Sequence, residues 1–196
     1  MTEEGKPRGR YPKGAERREQ IVRTATDVFA TDGFEGTALK RVAELVGIRE
    51  ATLFHYFRGK QELLTEVLTE RDRRSLEAME ATEPGLSLMV RSAARNLTEP
   101  GLTALYVVAS ATAHDPEHAS HEYFRERYAT GVLALRKEIE QQQVAGEVRT
   151  DVPPDVLARL VVAISDGLQL QWLYDKNVDY PAELSQFIEI LMRPSG

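Results

Sequence analysis

The sequence predicts an all-α fold in two unequal parts, and three observations predict it. Apolar residues recur at helical spacing, as in Leu184, Phe187, Ile188, Leu191 and Met192 at i, i+3, i+4, i+7 and i+8. No segment shows the strict alternation of a half-buried strand. Turn formers punctuate the periodic stretches: Asp32-Gly33, Gly47, Glu83-Pro84-Gly85, Glu99-Pro100-Gly101, Asp115-Pro116, Gly146 and Pro153-Pro154.

Taken in order, residues 1–13 hold two Pro and two Gly among basic residues and no apolar period, which reads as a disordered arm. Ile21, Val22, Ala25, Val28 and Phe29 mark the buried stripe of a helix over 15–31. Thr37 can cap the next helix through its hydroxyl. Leu39, Val42, Ala43 and Val46 give that helix one apolar face, and Gly47 ends it, because Gly turns most easily with positive φ. A second short helix follows over 49–57 with Leu53 and Phe57 inward. Gly59 opens a longer one with Leu63, Leu64, Val67 and Leu68 buried, where Glu62 supplies half a capping box. Further helices are expected over 86–97, 102–113, 123–144 and 155–174, and a last one begins at Pro181.

Two short amphipathic helices joined by a tight Gly turn fit a helix-turn-helix, or a plain helical hairpin with aromatic packing. In a helix-turn-helix the first braces, and the second lies in a major groove. Phe54, His55, Tyr56 and Phe57 put four rings in consecutive positions, more than one buried face can use. Leu53 and Phe57 hold the helix inward, which leaves His55, Tyr56 and the basic residues after them to donate to phosphate oxygens. Charge agrees. The net formal charge is −6, but residues 1–60 hold 12 Lys or Arg against 9 Asp or Glu, while the remainder holds 13 against 22. A basic end on an acidic body suits a polyanionic partner. Lys6, Arg8, Arg10, Lys13, Arg17, Arg18 and Arg23 supply most of the basic end.

The span from Ala15 to Leu68 resembles the N-terminal domain of TetR-type transcriptional regulators. The carriers are Ile21 with Ala25 and Phe29, Gly33-Phe34, Thr37, Val42-Ala43, Val46-Gly47-Ile48, Thr52 to Phe57, and Lys60 with Glu62-Leu63-Leu64. The rest of the chain is similar to the family in length and helical character. The resemblance implies that Thr37, Tyr56 and Lys60 bind phosphates with His55 beside them, and that Arg49, Glu50, Ala51 and Thr52 face bases of double-stranded DNA. The family often has Ser where Arg49 stands, usually Gly where Ala51 stands, often Tyr where Phe54 stands, and Ser where Gly59 stands. Arg49 therefore brings no side-chain cap, and offers a bidentate contact to guanine or a phosphate contact instead. Glu50 accepts from cytosine or compensates the helix dipole.

The resemblance also implies a division into an arm (1–13), a helix-turn-helix domain (14–62) and a ligand-binding and dimerisation domain (63–196). The two C-terminal helices carry more apolar surface than one stripe needs. Leu160, Val161, Ile164, Leu168, Phe187 and Leu191, with Gly167 allowing close approach, could form a two-fold bundle with a second copy, and Trp172 could join them. A homodimer is expected because a helix-turn-helix protein reads two half-sites. Met89, Tyr106, Ser110, Phe124, Tyr128, Gln169, Trp172 and Tyr174 are the candidates for a pocket that takes a small organic effector.

Other chemistry has little support. The chain has no Cys, so thiolate catalysis and disulfides are out. Walker, GxGxxG, GxSxG and HExxH patterns are absent, and no enzyme or cofactor is expected. His114, Asp115, His118 and His121 crowd together but are better read as a polar helix start capped by Asp115 than as a metal site. The N-terminus lacks a signal-type segment, and the apolar run 157–173 is short and interrupted by Arg159, Asp166 and Gly167, so a cytoplasmic protein with no membrane partner is expected. The expectation is a repressor that a small molecule releases from a pseudo-palindromic operator. The competing reading is a helical ligand-binding or scaffold protein without DNA binding.

Overall fold

The computed structural model describes residues 11–33, 39–78 and 85–193. Among them are nine helices and no strand: α1 (Tyr11–Asp32), α2 (Leu39–Val46), α3 (Glu50–Leu53), α4 (Lys60–Ala78), α5 (Gly85–Thr98), α6 (Pro100–Thr112), α7 (His121–Val144), α8 (Pro154–Tyr174) and α9 (Tyr180–Met192). The helix expected over 15–31 begins earlier, at Tyr11, so the last residues assigned to the arm are helical. The rest of the arm, and Thr37, lie outside the described residues.

One core joins the first four helices to the body. Ile21, Ala25 and Phe29 of α1, Val42 and Ala43 of α2, Leu53 of α3, and Leu63, Leu64, Val67 and Leu68 of α4 pack in the same cluster as Leu102, Leu105 and Ala109 of α6 and Phe124 of α7. Helices α1 and α6 approach closely at Gly101. A Cβ built there would lie 2.4 Å from the carbonyl oxygens of Phe29 and Ala30 on α1, so only Gly lets these helix ends touch. Two further clusters fill the body. Leu135, Ile139, Leu157, Ala158, Val161 and Met192 make one, and Ala93, Leu168, Trp172, Tyr180 and Leu184 the other.

Helix ends follow sequence rules where the sequence supplies them. Gly47 takes φ 75° and Gly146 φ 76° just past α2 and α7. Pro181 sits in the first turn of α9, and Asp179 accepts from the Ala182 N–H at 3.2 Å. Asp115 does not start a helix: it accepts from the Glu117 N–H at 3.0 Å and stabilises a turn, while α7 begins six residues later. The α5 start draws its cap from a distant element, as Glu138 of α7 accepts from the Leu86 N–H at 2.9 Å.

Among the described residues α8 is long and apolar enough, by length and composition, to cross a membrane. Length therefore does not separate it from a spanning segment, contrary to the expectation from 157–173. Leu157, Ala158 and Val161 on it are wholly buried against the body.

Candidate nucleic-acid interface and ligand cavity

The recognition segment is shorter than its apolar pattern predicts. Helix α3 is one turn, closed by tight turns in which the His55 N–H reaches Thr52 O at 3.2 Å and Tyr56 N–H reaches Leu53 O at 2.9 Å. Leu53 and Phe57 are both buried, while Phe54 and His55 stay outside. Tyr56 is half-buried against the same core, so its ring is positioned by packing. Phe54 is 51 % exposed with no hydrogen-bonding group.

Arg49 occupies the cap position of α3 with extended backbone and makes no side-chain cap. Arg49, Glu50 and Ala51 are exposed, and Thr52 and Lys60 are half-exposed. Glu62 does reach back, accepting from the Arg58 N–H at 2.8 Å, one residue earlier than the capping-box partner. Two exposed guanidiniums flank this face and have no ion-pair partner among the described residues: Arg58, one of the basic residues expected after Tyr56, and Arg41, which sequence reasoning passed over. The only sequence signal was basic residues on the polar side of short helices.

Part of the basic end has been spent inside the molecule. Arg17 donates to Val46 O at 3.4 Å, closing the α2 terminus. Arg18 pairs with Glu66 at 2.8 Å and stacks 4.8 Å from the Phe57 ring centroid. Arg23 pairs with Glu19 at 3.4 Å. Arg17 and Arg18 brace α1 against α2 and α4, while Arg23 stays on the exposed side of α1; charge counting had assigned all three to the reading end. Lys6, Arg8 and Arg10 lie outside the described residues.

A cavity of about 490 Å³ opens between α4, α5, α7 and α8. Of the expected lining residues, Met89, Tyr106, Tyr128 and Gln169 are there. Four are not. Ser110 donates to Val107 O at 2.9 Å on its own helix. Phe124 is buried in the core, edge-on to Tyr106 and Tyr123. Trp172 packs with Tyr180 and Leu184 under the Lys176 ammonium, 3.3 Å from its ring centroid. Tyr174, the last residue of α8, is 88 % exposed.

Sequence reasoning missed the charged half of the lining. Asp72 accepts from Tyr123 Oη at 2.6 Å, from Arg71 Nη1 at 3.2 Å and from Arg127. Arg71 also donates to Asn96 Oδ1 at 2.7 Å. The two guanidiniums lie 4.9 and 5.1 Å from the Tyr106 ring centroid. Across the cavity Tyr128 Oη donates to Asp166 Oδ2 at 2.8 Å. Burial pushes the Asp166 carboxyl above the usual carboxylate range, opposed by the Tyr128 hydroxyl and by Arg127 and Arg71. Tyr128 also borders an outer groove between α7 and the start of α8, lined by Arg125, Arg136 and Arg159. Charged helical residues usually read as a solvated face, so no periodic signal could have placed Arg71, Asp72 and Arg127 inside.

The dimer candidates divide by face. Val161 and Leu168 belong to the protomer's own core, because their turn of α8 points at the body. Trp172 is likewise buried. Ile164, Phe187 and Leu191 are half-buried, and Leu160 and Gly167 stand on the outer side, where a Cβ on Gly167 would meet nothing within 4 Å. Val156, Leu170, Tyr174 and Ile190 extend that exposed apolar surface. The histidines are tied to local backbone: His114 Nδ1 lies 3.0 Å from Ala111 O, His121 Nδ1 lies 2.8 Å from Ala113 O, and His118 Nδ1 accepts from the Ser120 N–H at 3.1 Å.

The one-turn α3 packs against α2, and the long α4 that follows it runs to a polar cavity. The family profile described as bacterial regulatory proteins, tetR family, matches residues 21–67. Over 181 residues the chain is 29 % identical to the HTH-type transcriptional repressor Rv1474c of Mycobacterium tuberculosis, covering 92 % of this chain and 95 % of the other. Its fold is similar to a TetR transcription regulator from Haloarcula marismortui (TM-score 0.77, 18 % identity, 91 % and 97 % coverage). It is also similar to FadR from Bacillus subtilis, solved in complex with stearoyl-CoA (TM-score 0.67, 15 % identity, 89 % and 97 % coverage). Residues 21–67 thus match the N-terminal domain of the TetR family, and the chain is similar to an HTH-type transcriptional repressor over more than nine-tenths of its length.

Proposed function

We propose that the protein is a cytoplasmic, homodimeric repressor that binds a pseudo-palindromic operator and is released from it by a small organic effector. The observation that carries this reading is helix α4. It begins at Lys60, directly after the recognition segment, and Arg71 and Asp72 further along the same helix line the cavity. At the helical rise these positions lie roughly 18 Å apart on one rod. A ligand that moves Arg71 or Asp72 therefore moves the segment that meets DNA. The α4–α7 contact is tied by the buried Ser120, whose hydroxyl lies 2.8 Å from that of Thr65. The name of the Mycobacterium tuberculosis relative supports repression.

In this reading Arg49, Glu50, Ala51 and Thr52 face bases, while Thr37, His55, Tyr56 and Lys60, joined by Arg41 and Arg58, meet phosphates. The effector shifts the population toward a dimer whose recognition segments no longer match adjacent major grooves, and it does so only by binding that state more tightly. The test is selection of bound duplexes from a random pool, with affinity read at two salt concentrations. An enriched two-fold motif is expected, with half-sites one helical turn apart, roughly 34 Å. Weak, salt-sensitive binding without enrichment would mean that the one-turn α3, uncapped and carrying Glu50, no longer reads sequence, and would favour a ligand-binding or scaffold role.

A further inference from the structure

The polar half of the cavity is a directed chain of hydrogen bonds that ends in an unused donor. A guanidinium has only donors, so Arg71 forces Asn96 to turn its Oδ1 toward it. Asn96 must then offer its Nδ2, which donates to Gln169 Oε1 at 2.9 Å. Gln169, which lines the cavity, is left with a buried Nε2 that has no partner among the described residues, and the residue is only 3 % exposed. The direction is anchored at Arg71, so flipping either amide would set donor against donor or acceptor against acceptor. A buried donor left this way is costly, and an oxygen acceptor removes the cost.

Charge points to the same kind of atom. Arg71 and Arg127 share one carboxylate, Asp72. The other lining carboxyls, Glu126 and Asp166, form no ion pair with either guanidinium among the described residues, and Asp166 is engaged by Tyr128 instead. The two guanidiniums thus have a single paired carboxylate between them, and Arg71 is only 7 % exposed. Met89, Leu135 and Val162 form an apolar wall for a short carbon skeleton.

We propose that the cavity binds a small hydrophilic molecule bearing an oxyanion, a carboxylate or a phosphate, whose oxygens accept from Gln169 Nε2 and compensate the Arg71–Arg127 pair. That this molecule is the effector rests on the regulatory reading above. A hydrocarbon-rich or cationic ligand would leave Gln169 Nε2 unpaired and would add nothing to the guanidiniums.

The test uses the full chain at constant ionic strength, titrated with sodium succinate, with inorganic phosphate, with tetramethylammonium chloride and with decanol. Thermal melting and calorimetry read binding, and operator affinity is read on the same samples. One of the two anions is expected to give saturable binding, with Tm raised by roughly 3–6 °C at about ten times Kd. Which anion does so distinguishes a carboxylate from a phosphate ligand. Gln169→Leu should melt at or above the parent temperature without ligand, because it removes the orphan, and should weaken the anion about tenfold or more. Gln169→Met repeats the comparison should the Leu variant fold poorly. Absence of saturable anion binding overturns the proposal, as does binding that ignores both substitutions, or binding by tetramethylammonium or decanol alone. Anion binding that leaves operator affinity unchanged upholds the assignment and sinks the effector reading. Release of operator by the cation or the alcohol does the reverse.

Discussion

At the residue scale the reading face separates charge from sequence information. Lys60 opens α4 beside the recognition segment, and an ammonium there acts on phosphate as a point charge. Lys60→Ala is expected to weaken binding to all duplexes by a similar factor and to flatten the dependence of log affinity on log salt by about one unit. Arg49 holds the α3 cap position with an exposed fork of donors. Arg49→Ala is expected to relax preference at one base position by roughly 1–3 kcal/mol, measured by competition between operator variants. Uniform weakening would put Arg49 on phosphate instead. The same two residues show how far a sequence reaches. The resemblance of their stretch to the family's motif was what proposed them as contacts. That Arg17 and Arg18, just as basic, are turned inward to Val46 and Glu66 depended on where α2 and α4 pack.

At the scale of elements, α1 and α4 carry the contacts that join the reading end to the body. Glu70 on α4 is held by Arg73 and then, against the cost of burial, by Arg74, which also reaches Asp27 of α1 at 2.7 Å. These contacts pull the Glu70 carboxyl from an ordinary value of 4.5 down to about 2. A folded value below the unfolded one stabilises the protein above the unfolded value and loses that contribution as pH falls toward the folded one. Glu70→Gln should therefore lower Tm at neutral pH, and the gap to the parent should close between about pH 4.5 and 2. A gap that does not depend on pH would mean that the pair is not a source of stability. Gly101 tests the other joint. Gly101→Ala forces a methyl into the Phe29 and Ala30 carbonyls, and backbone there has little room to yield. A loss of roughly 1–3 kcal/mol in denaturant unfolding is expected. Helix α3 shows the limit of pattern at this scale. An apolar spacing of four predicts a helix over 49–57, but α3 spans only Glu50–Leu53 and the chain goes on in tight turns to Phe57.

At the scale of the whole molecule, the outer surface of α8 and α9 keeps Leu160, Leu170, Tyr174 and Ile190 exposed in the protomer. Such a surface on a two-fold reader is proposed to pair with its copy. Gly167 lies within it, with open space where a side chain would stand. Gly167→Ile is expected to leave helical content and protomer folding intact while shifting the protein to monomer in sedimentation, with operator affinity lost alongside. A variant that stays dimeric would place the contact on another face.

The sequence by itself determined the all-α class, the order of the helices, most of their ends and the helix-turn-helix. These depend on local period, on Gly and Pro, and on inward residues such as Leu53 and Phe57 that neighbours in the chain position. Tertiary structure alone decided the ligand cavity, which side of α8 faces out, and which arginines are free. Residues as far apart as Arg71, Asn96, Arg127 and Gln169 meet only once α4, α5, α7 and α8 have packed. A charged residue on a helix looks solvated until another helix is laid over it, so burial of charge is not written in any single segment.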